Sequence, residues 1–376
     1  MPIRLAEIQR EAMLREVGRL ECLRAIRKKA VDDYRPFFEG VNRVILMDVA
    51  LHGNLGDSVL WRAALHLATL LGHSVNLICA GSQKAPGIYS TIDQFPDCSL
   101  SDIVDLVKDK GLVLYNGGGN WGTLYRDIQE YRMRVMQYLA SNYTRDDFDF
   151  KVVQLPQSIA YEGSEGAIAK DDEVMNQLPP GMLTMFLRQK DRLDFTQEHY
   201  GSNVEKILSP DTAFVLGPLD PIAEPLYDVL VLCRMDKETR EEDSEEKDKV
   251  ESFLQQSNVT YVFRDWGYGP HSKEFSASNP ALMSEVRLNA ALETISKGKI
   301  VITNRMHGSV IATLAGRILL WVDTKQEKVK RTREVAFNVS EQCTDENLRA
   351  FKFPTVLSAA KAAVEYLNLE RGFEPS

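Results

Sequence analysis

Ile300-Val301-Ile302-Thr303-Asn304-Arg305-Met306-His307-Gly308-Ser309-Val310-Ile311-Ala312-Thr313-Leu314-Ala315-Gly316 is the stretch from which the architecture can be read. Its first residues are apolar and β-branched, the pattern of a buried strand. Thr303-Asn304 ends that run, small residues at helical spacing follow from Gly308 to Leu314, and Gly316 supplies a helix stop. Arg305 and His307 therefore fall where a strand hands over to a helix. Ligands of open α/β sheets bind at the carboxyl ends of strands. A helix N-terminus there offers N–H groups and a partial positive charge to an anion. Arg305 adds a planar fork of donors. His307 adds the side chain that exchanges a proton near neutral pH. Taken alone, an Arg-x-His turn is more often a solvated arginine beside a packed histidine, so the rest of the chain has to decide.

Upstream, Arg43 to Ala50 reads as a buried strand that runs into His52-Gly53-Asn54-Leu55-Gly56-Asp57. A helix is expected from Ser58 to Leu71, capped by Asp57 or Ser58 and stopped by Gly72. Gly53 and Gly56 allow close backbone approach to a ligand. This first loop is not the full Gly-x-Gly-x-x-Gly dinucleotide fingerprint. A third strand, Leu112 to Tyr115, ends in Asn116-Gly117-Gly118-Gly119-Asn120-Trp121-Gly122. Three glycines at a strand end clear space for a ligand, Asn116 and Asn120 supply neutral donors, and Trp121 a flat face for a sugar. A fourth strand, Lys151 to Leu155, should stop at Pro156 and present Gln157 and Ser158. Leu208 to Phe214, with Asp211, closes this half.

Gly217 to Pro225 is proline-rich and polar and reads as a linker. Beyond it the alternation restarts. Val229 to Cys233 is a strand ending at Arg234, Val259 to Phe263 is another, and Arg264-Asp265-Trp266-Gly267-Tyr268-Gly269-Pro270 is an aromatic loop suited to an acceptor wall. The expectation is two Rossmann-like α/β domains facing a central cleft: residues 1–217, a linker at 218–227, and residues 228–376. An N-terminal helix from about Leu5 to Ala30 should pack on its own domain or serve a homo-oligomer contact.

The chain has 376 residues, 44% of them hydrophobic, and a formal charge of −9. An acidic chain is not expected to hold nucleic acid, although a local basic pocket is compatible with it. No apolar run reaches membrane-spanning length, and no signal-peptide pattern opens the chain. The five cysteines are scattered, so neither a disulfide scaffold nor a zinc site is expected. Metal and cofactor are likewise not expected, and the cytoplasm is the expected location. The sequons at Asn142, Asn258 and Asn338 read as silent in that location.

Five segments in order make the chain resemble the polysaccharide pyruvyl transferase family: Gly53 to Asp57, Asn116 to Asn120, Gln154 to Ser158, Pro210 to Phe214, and Arg305 to Gly308. The resemblance spans roughly residues 42 to 322. It implies an arrangement similar to the glycosyltransferase B fold and transfer of a pyruvyl group from phosphoenolpyruvate to a sugar as a ketal. On that reading Arg305 and Arg234, with Gly308 and Ser309, hold the donor. His307 protonates its methylene carbon, and Asp57 or Asp211 serves the acceptor hydroxyls. Asn54, Gly56, Asn116, Gly117, Gly118, Gly119, Asn120, Gln157 and Ser158 line the acceptor loops. The alternative is a metal-independent glycosyltransferase with a nucleotide-sugar donor.

Overall fold

A computed structural model of the chain describes residues 2–50, 53–79, 99–143, 149–161, 165–234, 241–266 and 279–371. Leu51, His52 and the segment Gly267 to Pro270 of the expected acceptor wall lie outside the described residues. The chain divides into two compact units. One comprises residues 28–215 and 272–287, the other residues 1–27, 216–271 and 288–376.

The first unit is built on a parallel sheet of seven strands. These are β1 (Arg43–Met47), β2 (Leu77–Ile78), β3 (Asp109–Tyr115), β4 (Gly118–Gly122), β5 (Asp149–Ala160), β6 (Leu183–Leu187) and β7 (Glu205–Leu208). The order is β2-β1-β3-β5-β6-β7, with β4 also paired to β5. β1 has β2 on one side and β3 on the other, so the winding reverses between β1 and β3, where such sheets bind ligands. Helices α2 (Leu55–Leu70), α3 (Leu100–Val107), α4 (Arg126–Tyr143), α5 (Glu165–Asn176) and α6 (Lys190–His199) connect the strands. Apolar clusters line both faces of the sheet, one around Met47, Tyr115 and Leu187, the other around Leu46, Leu114 and Phe186. Strands covered on both sides read as continuous apolar runs, which is why β1 and the second half of β3 were legible.

The second unit repeats the plan with five parallel strands in the order β12-β11-β10-β8-β9. They are β8 (Tyr227–Leu232), β9 (Tyr261–Arg264), β10 (Gly298–Thr303), β11 (Ile318–Val322) and β12 (Ala350–Phe353). Its helices include α7 (Glu241–Gln256), α9 (Met306–Leu314), α10 (Lys328–Phe337), α11 (Asp345–Leu348) and α12 (Val356–Glu370). The winding reverses between β8 and β10. The chain is thus mixed α/β with two Rossmann-like parallel units. Two helices contribute to both units: α1 (Pro2–Phe38) divides after Arg27 and α8 (Pro280–Ser296) after Arg287.

Four local expectations are corrected. The cap of α2 is Asn54, not Asp57 or Ser58, because the Asn54 side chain accepts the Gly56 N–H at 3.1 Å. Pro156 does not end β5, which runs on to Ala160 through a register shift between Gln154 and Gln157. A strand absorbs a proline at such an irregularity. The glycine run is not a loop that leaves the sheet. β3 pairs with the first half of β5, and after Gly117 the chain resumes as β4 along its second half. That step needs a glycine, since a Cβ at Gly117 would stand 2.8 Å from the Pro156 carbonyl oxygen.

The fourth correction concerns the cysteines. Cys22 in α1 is disulfide-bonded to Cys343, with 4.9 Å between the Cα atoms, and Cys79 is disulfide-bonded too. Cys233 is free. Pairs separated by 321 residues leave no spacing signal in a sequence. The same part of α1 is held by Arg19, which donates to the Leu314 carbonyl at 3.1 Å at the end of α9. A cation on the last carbonyls of a helix is a favourable cap. These contacts account for residues 1–27 joining the second unit, where the sequence had grouped them with 28–217. Among the described residues no helix is long and apolar enough to cross a membrane.

Candidate active site

In the second unit, β8 and β10 run in register with Leu232 beside Thr303. Their chain ends are tied together: the Arg234 N–H donates to Asn304 Oδ1 at 2.8 Å, and the Thr303 hydroxyl donates to the Leu232 carbonyl at 2.5 Å. Arg305 is the N-cap of α9, with its own N–H donating to Thr303 Oγ1 at 3.0 Å. So one threonine and one asparagine fix two arginines at neighbouring strand ends. Gly308 allows the helix to start this close, because a Cβ there would meet Thr303 Oγ1 at 2.9 Å. Ser309 turns its hydroxyl back to the Met306 carbonyl at 2.7 Å, bracing the first turn.

Arg305 is only 4% exposed, yet its Nε has no hydrogen-bond acceptor among the described residues. Its charge is paired with Asp265, which follows β9. Buried cationic donors without acceptors are costly unless something fills them. Asn304 Nδ2 and Trp266 Nε1 at the same edge are also buried and have no hydrogen-bond partner among the described residues. His307 is buried in the first turn of α9, where helices leave their N–H groups without partners inside the helix. This edge therefore gathers positive charge and open donors, the chemistry of an anion site.

In the first unit the strand ends carry mostly neutral groups. Asn116 follows β3 and is fully buried, with neither Oδ1 nor Nδ2 hydrogen-bonded among the described residues. Its carbonyl accepts Gln154 Nε2 at 3.0 Å and Gln157 Nε2 at 3.2 Å. The Oε1 atoms of both glutamines and Asn120 Oδ1 lack donors. A Cβ at Gly118 would lie 3.6 Å from Asn120 Oδ1 and 4.0 Å from Gln157 Oε1, so the glycine keeps the space between these oxygens clear. Gly118 has φ +149°, a conformation that glycine reaches without strain. Gly119 and Asn120 are half-buried. Half-buried Asp57 accepts Asn54 Nδ2 at 2.8 Å in the first turn of α2.

Ion pairs that the sequence did not suggest brace this edge. Asp48, at the end of β1 with φ 62°, and Arg132 of α4 are both fully buried and joined through Arg132 Nε at 2.6 Å. Arg132 Nη1 also donates to the Asn120 carbonyl at 3.3 Å, and the guanidinium lies over the Trp121 ring. Trp121 is thereby buried, 1% exposed, and its Nε1 donates to the Tyr200 hydroxyl, so its ring is not an open sugar platform. Arg188, after β6, donates through Nε to the Ser158 hydroxyl at 2.9 Å and through Nη1 to Asp211 Oδ2 at 2.5 Å. Asp211 Oδ1 accepts the Ala213 N–H at 2.9 Å. Ser158 and Asp211 are thus parts of a buried bracket around Arg188. Arg287 donates to the Ser58 hydroxyl at 3.0 Å at the start of α2, and burial brings its guanidinium down to about 10. The one legible sign of these pairs was Arg132, a charge on the buried stripe of α4 beside Met133 and Met136.

The sequence profile of the polysaccharide pyruvyl transferase family matches residues 54–325, which takes in both edges. The chain belongs to the polysaccharide pyruvyl transferase family. It is a transferase that acts on a saccharide. Pyruvyl transferase 1 of Schizosaccharomyces pombe is 29% identical over 297 residues, covering 78% of this chain and 69% of its own. Bacillus subtilis EpsO, provisionally named a pyruvyl transferase, is 23% identical over 296 residues, 73% of this chain and 79% of its own. A functionally uncharacterised Klebsiella pneumoniae protein of known structure superposes with a TM-score of 0.50 at 15% identity, over 88% of this chain and 99% of that one, a likeness of fold. Among the described residues no cluster of His, Cys, Asp and Glu is placed to hold a metal ion.

Proposed function

We propose that this pyruvyl transferase takes its pyruvyl group from phosphoenolpyruvate and places it as a ketal on two hydroxyls of a neutral sugar. The observation that carries the donor assignment is the buried Arg305 fork, paired at Nη2 with the partly exposed Asp265, without an acceptor at Nε among the described residues, and fixed beside Arg234 by Asn304. A donor with a carboxylate and a phosphate supplies acceptors for that fork. In this reading Gly308 admits the first turn of α9 to the strand end, and Ser309 braces it. His307 gives a proton to the methylene carbon, and the central carbon becomes electrophilic. One sugar hydroxyl bonds to that carbon, and the second displaces phosphate from it. Of the two hydroxyl protons, one replaces the proton given up by His307 and the other leaves with phosphate. The chemistry asks for no cofactor beyond the donor.

On the acceptor side, the unfilled oxygens of Asn116, Asn120, Gln154 and Gln157 suit hydroxyl donors and carry no charge. Asn54, Gly56 and Gly117 to Gly119 shape that edge, and Gln157 belongs to it through Asn116. Asp57 is the carboxylate assigned to the acceptor hydroxyls. Asp211 and Ser158 support the edge through Arg188 rather than meeting the sugar.

The cytoplasmic expectation rested on the lack of a signal-peptide pattern and of a membrane-length apolar run. The Cys22–Cys343 disulfide favours an oxidising compartment instead.

The test is calorimetric titration with phosphoenolpyruvate beside a set of nucleotide sugars, for the native chain and Arg305→Ala. Binding of phosphoenolpyruvate that the variant loses is expected. Binding of a nucleotide sugar in its place would overturn the donor assignment.

A further inference from the structure

Asp265 pairs with the arginine to which donor binding is assigned. It follows the edge strand β9, whose Arg264 lies beside Leu232 of β8, and from there its carboxylate reaches Arg305 beyond the end of β10. The two side chains are unequally placed: that of Arg305 is 5% exposed, that of Asp265 is 29% exposed. The contact engages Arg305 Nη2 and leaves Nε without a hydrogen-bond acceptor among the described residues. An unpaired guanidinium buried to this degree is strongly destabilising. The empty site therefore needs a counter-ion. A counter-ion that stayed in place would cancel the charge that attracts a multiply charged donor and would repel it at close range.

We propose that Asp265 is a place-holder for the donor: it neutralises Arg305 while the site is empty and gives way to the donor's carboxylate or phosphate. The partner that can return to water is the one already partly in it. Asp265 hydrates on leaving, whereas Arg305, capping α9 at the centre of the sheet edge, stays. Two consequences follow for this site. A singly charged small anion gains little by displacing a carboxylate, so the exchange selects for ligands with more charge. The donor's affinity is also lower than Arg305 alone would give, which favours release of the phosphate product. The proposal rests on the assignment of Arg305 to donor binding.

The experiment is calorimetric titration of the full chain with phosphoenolpyruvate and, separately, with inorganic phosphate, for the native protein, Asp265→Asn, Asp265→Glu and the Arg305→Ala/Asp265→Asn double variant. Asp265→Asn should bind both anions about fivefold or more tightly than the native chain, because a competing charge is gone. Asp265→Glu should stay near native affinity, and the double variant should lose the gain. A residue that merely held Arg305 in place would give the opposite sign, so unchanged or weaker binding by Asp265→Asn overturns the proposal. Should that variant not fold, Asp265→Ser is read the same way. If the native chain binds phosphate but not phosphoenolpyruvate, the donor assignment fails and the place-holder is judged on phosphate alone. If no form binds either anion, both fall.

Discussion

The main-chain N–H of Arg234 donates to the side-chain oxygen of Asn304 at 2.8 Å, which locks the ends of β8 and β10 to each other. Asn304 sits one residue before Arg305, so the bond sets the spacing of the two arginines. Replacing Asn304 with Ala removes the acceptor and leaves the Arg234 N–H to find water. The direct loss is about 0.5–1.5 kcal/mol in stability. The larger effect should be on donor recognition. We expect the KM for phosphoenolpyruvate to rise about tenfold or more, with kcat less affected. Steady-state phosphate release at saturating acceptor checks this.

His307 lies one residue beyond the first position of α9 and is buried. If it protonates the methylene carbon, His307→Ala should lower kcat about 100- to 10,000-fold. Donor affinity should change little, because Arg305 and Arg234 remain. Parallel calorimetry and turnover separate the two effects. Near-native turnover in His307→Ala would remove it from the chemistry.

The buried pair of Asp48 and Arg132 supports the glycine-rich step between β3 and β4 through the Asn120 carbonyl. Removing one partner strands a charge in the core, so Arg132→Met should cost about 3–5 kcal/mol. The double variant Arg132→Met/Asp48→Leu should recover part of that loss, since neither charge is then left alone. Denaturant unfolding of the three forms tests this. A double variant no better than the single would mean that the pair is not what holds the step.

The parts of the fold legible in the sequence were those whose periodicity is strong. β1, β8, β10 and the second half of β3 carry apolar runs, and the glycine at position 316 stops α9 as expected, with φ +67°. Short or amphipathic elements such as β12 and α11 gave no comparable signal. Of the candidate site, the residues on strand ends were visible because a polar side chain interrupting an apolar run marks where the strand leaves the core. Asp265, Arg188 and Asp48 were not singled out, because their roles come from partners 40, 23 and 84 residues away. Trp121 was misread as a platform for the same reason: Tyr200 and Arg132, which bury it, are distant in the chain.

The Cys22–Cys343 bond closes a span of 321 residues and anchors α1 to the second unit. Chain entropy alone predicts a large effect for so long a span, and native disulfides commonly give about 2–4 kcal/mol. Reduction, or the Cys22→Ser/Cys343→Ser variant, should lower the melting temperature by several degrees, on the order of 5 °C. Intact mass of the protein taken from its own cells, before and after reduction, checks that the bond forms there. A chain that gains no protons on reduction would return the compartment to the reducing cytoplasm.

Asp323, buried just after β11, accepts the N–H groups of Val329 at 3.1 Å and Lys330 at 3.3 Å. Burial raises its carboxyl above the ordinary value of 3.8, and the pull of Lys352 and the two N–H groups only partly offsets it. A carboxyl raised in the folded state binds its proton more readily there than in the unfolded chain. Its favourable contribution is therefore complete below 3.8, the unfolded value, and disappears as pH rises through the folded value. Asp323→Asn removes the titration. The stability of the native chain relative to this variant should fall as pH rises across that window and stay level above it. Urea unfolding of both proteins at a series of acidic pH values reads this directly. A difference that grows with pH would mean that the two backbone N–H groups and Lys352 outweigh burial, and that Asp323 works as an ionised cap for α10.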